Sequence, residues 1–233
     1  MTMSRRNAAA RASCCLGLVV LATSGLAHAD PPPAKAPVIV AAMGDSLTDA
    51  RSHGGKFLDV LRKRCPLSRF DNYGVGGQMV NQMRHRFDAD VFGPGKPAYT
   101  HVIVFGGVND LYSDLTAGRT PALIERDLSF MYQEAHRHGA KVVALTVAPW
   151  GGFSRYFNAS RSAATLDLNR WILAQRDSGA VDAAVDAYGL LSCGEPTVLC
   201  PSYTAPFHDG LHFGSEGHER LGEALAQVFA TCS

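Results

Sequence analysis

The amino-acid sequence predicts a three-layer α/β/α sandwich around a five-stranded parallel sheet in the flavodoxin-like order 2-1-3-4-5. The first observation behind this prediction is that short runs rich in Val, Ile and aromatic residues alternate with longer segments carrying apolar residues at helical spacing. Such alternation implies βαβ units and a mostly parallel sheet covered by helices on both faces. The second is that 233 residues, 46% of them hydrophobic, suit a single domain with a full core.

The strand candidates are short apolar segments rich in β-branched and aromatic residues, the composition that favours strands over helices. In chain order they are residues 38–43, 70–73, 101–105, 141–147 and 181–187.

The helix candidates lie between these strands and after the last of them. The helix before the fourth strand has clear end signals, because Thr120 followed by Pro121 is a favourable N-cap and first-turn pair and Gly139 is a natural C-terminal stop. The predicted helices span residues 56–64, 78–87, 121–138, 163–176 and 215–229.

The N-terminal segment, residues 1–29, has the pattern of a secretory signal peptide. Basic residues near the start precede a short apolar stretch, and Ala27-His28-Ala29 supplies a cleavage site. The apolar stretch is shorter than the roughly 20 residues that span a bilayer. We therefore expect export to the periplasm or the outside after cleavage near Ala29, a Pro-rich linker over residues 30–37, and one domain over residues 38–233.

The charge balance bears on which partners the protein has. The formal net charge is +1, and without the arginines of residues 1–29 it is about −2. Neither value provides the basic surface that binds nucleic acid or an anionic membrane. We expect no nucleic-acid partner, no stable membrane insertion and, by default, a monomer.

Four cysteines follow the signal segment: Cys65, Cys193, Cys200 and Cys232. An even number in an oxidising compartment favours disulfides over metal ligation. Cys193 and Cys200 would close a short loop. Cys65 ends the first helix and Cys232 follows the last, and because these helices pack on the same face in this topology, the pairing of the two cysteines is favoured. Four cysteines nonetheless allow three pairings, and the sequence does not choose between them.

The segments richest in chemistry follow the predicted strands, where open α/β sheets bind their ligands. A serine such as Ser46, at a strand-to-helix turn, is a nucleophile only if a base accepts its proton. Asp209 and His212, three residues apart in a glycine-containing turn, can bring a carboxylate and an imidazole into contact. Glycines after strand two and the side chain of Asn109 can donate N–H groups to an oxyanion. These groups lie in residues 44–49, 72–78, 106–110 and 208–212.

These four blocks resemble those of the SGNH (or GDSL) hydrolase family, in the same order along the chain. The matching residues are Gly44-Asp45-Ser46-Leu47, Gly77, Gly107-Val108-Asn109-Asp110 and Asp209-Gly210-Leu211-His212. One block alone is a weak signal, whereas four in order over nearly the whole mature chain are a strong one. The fold of this family agrees with the sheet predicted above.

The resemblance implies a serine esterase that cleaves carboxylic (acyl) esters without a cofactor or a metal. Ser46 would be the nucleophile, His212 the general base and acid, and Asp209 the residue that orients the imidazole. The implied oxyanion donors are the N–H groups of Ser46 and Gly77 and the side chain of Asn109. Gly76 competes with Gly77, which is preferred because the glycine of the family tends to precede a polar residue that opens the next helix.

The substrate is less well defined by the sequence. The resemblance implies an acyl lipid, a lysophospholipid or an acetylated carbohydrate, and a compact domain suggests that the acyl group is short or medium in length. Tyr112, Trp150 and Phe207 are candidates to line the substrate pocket. Two alternative functions are a non-catalytic ligand-binding protein on a hydrolase scaffold and a metal-dependent phosphoesterase. The ligands of the latter would come from Asp45, Asp49, His208, Asp209 and His212.

Overall fold

The computed structural model describes residues 36–229 and residue 232. The predicted signal peptide and most of the predicted linker lie outside the described residues. Among those described, no helix is both long enough and apolar enough to cross a membrane.

The central sheet has five strands in the order β2-β1-β3-β4-β5, and all neighbouring strands are parallel. The predicted order 2-1-3-4-5 is therefore confirmed. The edge strand β5 is shorter than predicted and has only three residues. The strands are β1 (Ile39–Gly44), β2 (Arg69–Gly74), β3 (His101–Phe105), β4 (Lys141–Leu145) and β5 (Ala183–Val185).

Eight α-helices connect and cover these strands in the described part of the chain. Their bounds are α1 (Phe57–Arg64), α2 (Val80–Phe87), α3 (Val108–Tyr112), α4 (Asp114–Ala117), α5 (Pro121–Arg137), α6 (Ala159–Asp177), α7 (Ala187–Leu191) and α8 (Ser215–Val228). Two short 3-10 helices, Ala50–Ser52 and Pro201–Tyr203, and a π-helical turn, Asp88–Phe92, complete the secondary structure.

Two apolar cores lie on opposite faces of the sheet, because successive side chains of a strand point to opposite sides. In β1, Ala41 and Met43 belong to one core, whereas Val40 and Ala42 belong to the other. The first core also includes apolar residues of α2, α5 and α6, and the second those of α1, α7 and α8. The three-layer arrangement follows from these two faces.

Helices α1 and α8 pack closely on the second face. A Cβ atom on Gly222 would lie 2.5 Å from the Cβ atom of Val60, so only glycine permits this approach. Arg64 forms an ion pair with Glu223 (2.7 Å), and Cys65 and Cys232, whose Cα atoms are 5.5 Å apart, form a disulfide. Cys193 and Cys200 form the second disulfide. The favoured pairing is thus the one present.

Removing the Cys65–Cys232 bridge with Cys65→Ser and Cys232→Ser is expected to lower the free energy of unfolding by about 2–5 kcal/mol. The bridge joins residues 167 positions apart, so its loss frees a long loop in the unfolded chain. Urea unfolding measures the change. The pair Cys193→Ser and Cys200→Ser, which opens a loop of sequence separation 7, should cost less. Equal losses in both pairs would contradict this expectation.

Candidate active site

The carboxyl ends of three adjacent strands lie side by side in the sheet. Gly44, the last residue of β1, is in register with Gly74 of β2 and with Phe105 of β3. The loops that follow these strands therefore begin at the same edge. The turn that precedes α8 reaches the same edge, since His212 contacts Ser46 there.

Three side chains from two of these segments form a continuous hydrogen-bonded chain. The Oγ atom of Ser46 lies 2.9 Å from Nε2 of His212, and Nδ1 of His212 lies 2.6 Å from Oδ2 of Asp209. Ser46 is 9% exposed, so its hydroxyl lies at the bottom of a depression. A hydroxyl, an imidazole and a carboxylate in this sequence can activate an oxygen nucleophile, because the carboxylate selects the ring tautomer that leaves Nε2 free to accept a proton.

The carboxylate of Asp209 is held by its own turn. Its Oδ1 atom accepts the backbone N–H groups of Leu211 (2.9 Å) and His212 (2.8 Å). Partial burial, the largest single influence, raises the pKa of Asp209, but the hydrogen bonds from His212 and Leu211 together outweigh it and leave that pKa below its usual value. Asp209 is thus an ionised partner for the ring of His212.

Close backbone contact fixes the turn between Asp209 and His212. Gly210 has a φ of +75°, and a Cβ atom there would collide with the backbone of Gly152. A Cβ atom on Gly152 would in turn lie 2.7 Å from the Cα atom of Gly210. The loop after β4 therefore supports the turn that carries the imidazole, and both glycines are needed for that contact.

The two glycines after β2 differ in whether their N–H groups are free. The N–H of Gly76 donates to Oδ2 of Asp49 at 2.9 Å. No acceptor is recorded among the described residues for the N–H of Gly77, whose φ is +76°, or for that of Ser46. The N–H of Gly76 is therefore engaged within the protein, whereas that of Gly77 is available to a ligand.

Asn109 lies in the first turn of α3, which Gly107 begins with a φ of +121°. The Asn109 side chain is 3% exposed, and its Nδ2 atom donates to the carbonyl oxygen of Gln78 at 2.8 Å. This bond uses one of the two amide protons, so the other can point at a ligand. The N–H groups of Ser46 and Gly77 and the amide of Asn109 thus come from the ends of β1, β2 and β3.

If Asn109 donates to the oxyanion of an ester substrate, as the sequence predicts, Asn109→Ala should lower kcat for ester hydrolysis by about 10²- to 10³-fold, the usual cost of losing one oxyanion donor. KM should change little, because the donor acts mainly on the charge that develops in the transition state. Steady-state kinetics with p-nitrophenyl acetate measures both constants. Asn158→Ala, which changes an exposed N-cap residue of α6, is the matched control. A kcat for Asn109→Ala equal to that of the control would rule out this role.

Two acidic residues of the four blocks, Asp45 and Asp110, are buried. Burial raises the pKa of Asp45 to about 7, and its Oδ1 atom accepts the N–H of Leu47. Burial also raises the pKa of Asp110, which accepts the N–H of Val80 at 2.8 Å and forms an ion pair with Arg119 at 2.7 Å. Both carboxyl groups therefore shape the loops around the site.

Sequence reasoning missed the rest of this polar network. Arg119 also pairs with Asp127, which pairs with Arg84 of α2. The network ties α5 to α2 and to the start of α3. Its members are far apart in sequence and carry no shared motif, so only the packing of the helices reveals it.

A cavity of about 640 Å³ opens above Ser46 and His212. Tyr112 and Phe207, two of the candidates for the substrate pocket, line this cavity. The prediction for Trp150 is wrong, because its side chain is fully buried and its indole N–H donates to Thr165 at 2.9 Å. The lining residues that the sequence did not single out for the pocket are Asp49, Arg51, Ser52, Val75 and Leu211.

The five residues of the phosphoesterase alternative do not form a cluster of ligands. Asp49 and Asp209 use both carboxylate oxygens in hydrogen bonds, and Nδ1 of His208 lies 3.1 Å from the hydroxyl of Thr204. In the described chain, a different group of side chains brings its possible ligand atoms within 4.8 Å of one another. It consists of Asp88, Glu134 and His138, next to the ends of α2 and α5.

Comparisons with known proteins identify the family of the chain. The family model described as "GDSL-like Lipase/Acylhydrolase family" matches residues 42–220. No curated protein sequence matches the chain.

Three solved structures illustrate the likeness in fold. A GDSL-like lipase from Bacteroides thetaiotaomicron is 23% identical, with a TM-score of 0.68 over 82% of this chain and 87% of that one. A lipase/acylhydrolase from Enterococcus faecalis is 18% identical, with a TM-score of 0.65 over 84% and 97% of the two chains. A catalytic mutant of an acetylxylan esterase from Geobacillus stearothermophilus is 16% identical, with a TM-score of 0.68 over 85% and 99%.

Proposed function

The chain belongs to the GDSL-like lipase/acylhydrolase family, and from this premise we propose that it is an exported serine esterase that hydrolyses carboxylic esters through an acyl-enzyme on Ser46. The observation that carries the proposal is the chain of hydrogen bonds from Ser46 through His212 to Asp209, with separations of 2.9 and 2.6 Å. These three hydrogen-bonded side chains lie at the base of a cavity large enough for a small ester.

In the first half of the reaction, Oγ of Ser46 attacks the carbonyl carbon of the ester while Nε2 of His212 takes the hydroxyl proton. The resulting imidazolium is stabilised by the ionised Asp209. His212 then returns the proton to the alkoxide oxygen as the ester C–O bond breaks, so the alcohol leaves and the acyl group stays on Ser46. In the second half of the reaction, water takes the place of Ser46 as the attacking group, and His212 again accepts and returns the proton. The carboxylic acid is released and Ser46 is restored.

The negative charge on the carbonyl oxygen is assigned to three donors. They are the N–H groups of Ser46 and Gly77 and the side-chain amide of Asn109. The support for Gly77 over Gly76 is that Asp49 already occupies the N–H of Gly76. The support for Asn109 is its burial and the single hydrogen bond that holds its amide next to the glycine loop, residues 75–78.

The acyl group is proposed to be short or medium in length, within an acyl lipid, a lysophospholipid or an acetylated carbohydrate. The cavity is lined by polar groups such as Arg51 and Ser52 as well as by Tyr112 and Phe207. A mixed lining of this kind suits a polar ester with a small acyl group better than a long acyl chain. The acetylxylan esterase with the same fold adds weight to acetylated carbohydrates.

The test of this function combines a substrate panel with covalent trapping. Purified protein is assayed against p-nitrophenyl esters from acetate to palmitate and against acetylated xylan. In parallel, a fluorophosphonate that reacts with activated serines is added, and the modified peptide is found by mass spectrometry. Turnover of short esters, together with a label on Ser46, is the expected result. No turnover of any ester, or a label on another serine that abolishes turnover, would refute the proposal.

We also propose that export removes residues 1–29 and leaves a single domain. The two disulfides support this, because such bonds persist in oxidising compartments. Expression of the full chain in a bacterium, followed by cell fractionation and N-terminal sequencing, should find a mature protein that begins near Asp30. A cytoplasmic protein with an intact N-terminus would contradict it.

A further inference from the structure

The carboxylate of Asp49 joins the loop of the nucleophile to the glycine loop after β2. Asp49 follows Ser46 by three residues, and its N–H donates to the carbonyl oxygen of Asp45 at 2.8 Å. Its backbone is therefore part of the same tight turn that presents Ser46. Its side chain reaches across to Gly76, whose N–H it accepts at 2.9 Å. The two loops that supply the serine and a proposed oxyanion donor are thus linked by one buried side chain.

The two oxygens of this carboxylate accept different backbone N–H groups, although the guanidinium of Arg51 reaches both of them, at 3.2 and 3.4 Å. Oδ1 accepts the N–H of Arg51 at 2.9 Å, which is the ordinary N-cap bond of the short helix Ala50–Ser52. Oδ2 contributes nothing to that cap bond. It accepts the N–H of Gly76 and, at 3.3 Å, the hydroxyl of Ser52. Capping the helix therefore needs only one oxygen, and the second is used on the glycine loop.

Asp49 is well suited to hold a backbone group firmly. It is 5% exposed, so water competes little for its bonds. Desolvation, the largest influence, raises its pKa, but hydrogen bonds from Arg51 and Gly76 together bring that pKa below the usual value. The group is therefore ionised at neutral pH, and hydrogen bonds to a carboxylate are roughly twice as strong as those between neutral groups.

The glycine loop is also held on its other side. The carbonyl oxygen of Gln78 accepts the amide of Asn109 at 2.8 Å, and the side-chain oxygen of Gln78 accepts Nε of Arg86 at 2.7 Å. Gly77 lies between these contacts and the bond from Gly76 to Asp49. A Cβ atom on Gly77 would meet nothing within 4 Å, so this side of the residue faces open space. The direction of its N–H depends on the hydrogen bonds to its neighbours.

We propose that Asp49 is the positioning residue of the oxyanion hole, which orients the N–H of Gly77 by fixing the N–H of Gly76 relative to Ser46. This inference rests on the proposed esterase function and adds to it a residue at the wall of the cavity that acts on the reaction through the N–H of Gly76 and not by contact with the reacting atoms. An oxyanion donor works only when it is about 2.7–3.1 Å from the oxygen that becomes charged. A loop free to shift would lose that distance while the cavity still binds the ester.

Two substitutions separate positioning from capping. Ser, Asn and Asp are about equally good N-caps, so both Asp49→Ser and Asp49→Asn can keep the short helix. The serine side chain is too short to reach Gly76, whereas the asparagine carbonyl oxygen is long enough. If Asp49 only caps, the two variants should have equal activity. If it positions the glycine loop, Asp49→Asn should be the more active of the two.

The experiment measures kcat and KM for p-nitrophenyl acetate hydrolysis by the full mature protein and its variants. Asp49→Ser is expected to lower kcat by about 10- to 100-fold, less than the loss of a whole oxyanion donor, with KM changed less than about threefold because ground-state binding is retained. Asp49→Asn should fall between this variant and the wild type. Asp59→Ser, on an acidic side chain that is 61% exposed on α1, is the control and should match the wild type.

The outcomes are distinguishable. If the wild type is active and Asp49→Ser has the same kcat as the control, the positioning role is overturned and the esterase function is left intact. Equal losses in the serine and asparagine variants, or losses that appear in KM instead of kcat, would also overturn it. A wild type that hydrolyses no ester would overturn both proposals. If Asp49→Ser does not fold, Asp49→Thr, which also caps and is also too short, takes its place.

Discussion

Replacing Ser46 with alanine is expected to lower kcat for p-nitrophenyl acetate hydrolysis by about 10⁴- to 10⁶-fold, the range found when a serine nucleophile is removed. Without the hydroxyl no acyl-enzyme can form. Water would have to attack directly, with His212 as its base and the remaining oxyanion donors in place. The slow residual rate expected from such a site is why the loss is large but finite.

The fold should tolerate this change. The only side-chain hydrogen bond recorded for Ser46 in the described structure is the one to His212, and a bond of this kind contributes about 1 kcal/mol to stability. Thermal unfolding should therefore show a melting temperature close to that of the wild type. Ser160→Ala, at an exposed serine of α6, should retain full activity. Full activity in Ser46→Ala would mean that another group attacks the ester, and the proposed mechanism would have to be abandoned.

The three central strands, β1, β3 and β4, were predictable because they are buried on both faces and read as apolar runs. The order of the strands followed from their alternation with helices. We predicted β5 over residues 181–187, but the strand spans only Ala183–Val185. Val181 and Ala187 are apolar for a reason other than strand pairing. Both pack into the cores without pairing as strand residues. Apolar character predicts burial, whereas strand ends depend on hydrogen bonding between distant segments.

The site was predictable where its residues follow strand ends and occur in short blocks. Ser46, Asn109, Asp209 and His212 could be placed at one edge of the sheet from topology alone. The position of Trp150 could not, because a large aromatic in a loop can face either the cavity or the core. The bond from Asp49 to Gly76 was also invisible in sequence, since it joins residues 27 positions apart through the direction of one side chain.

Replacing Asp209 with asparagine is expected to lower kcat by about 10⁴-fold, with KM nearly unchanged. The structure dictates how the new amide would lie. Oδ1 of Asp209 accepts two backbone N–H groups, from Leu211 and His212, so the carbonyl oxygen of the asparagine would take that place. Its NH₂ group would then face Nδ1 of His212, where Oδ2 now lies at 2.6 Å.

An NH₂ group in that position donates a hydrogen bond, so Nδ1 must become the acceptor and the ring proton must move to Nε2. In this tautomer Nε2 carries a proton and cannot accept the one from Ser46, although every side chain remains close to its original place. The nitrogen NMR shifts of the His212 ring report the tautomer, and ester kinetics report kcat. Asp177→Asn, at an exposed acidic residue that ends α6, controls for the loss of one charge. A variant Asp209→Asn that keeps Nδ1 protonated and retains wild-type kcat would show that the turn, and not the carboxylate, sets the state of the imidazole.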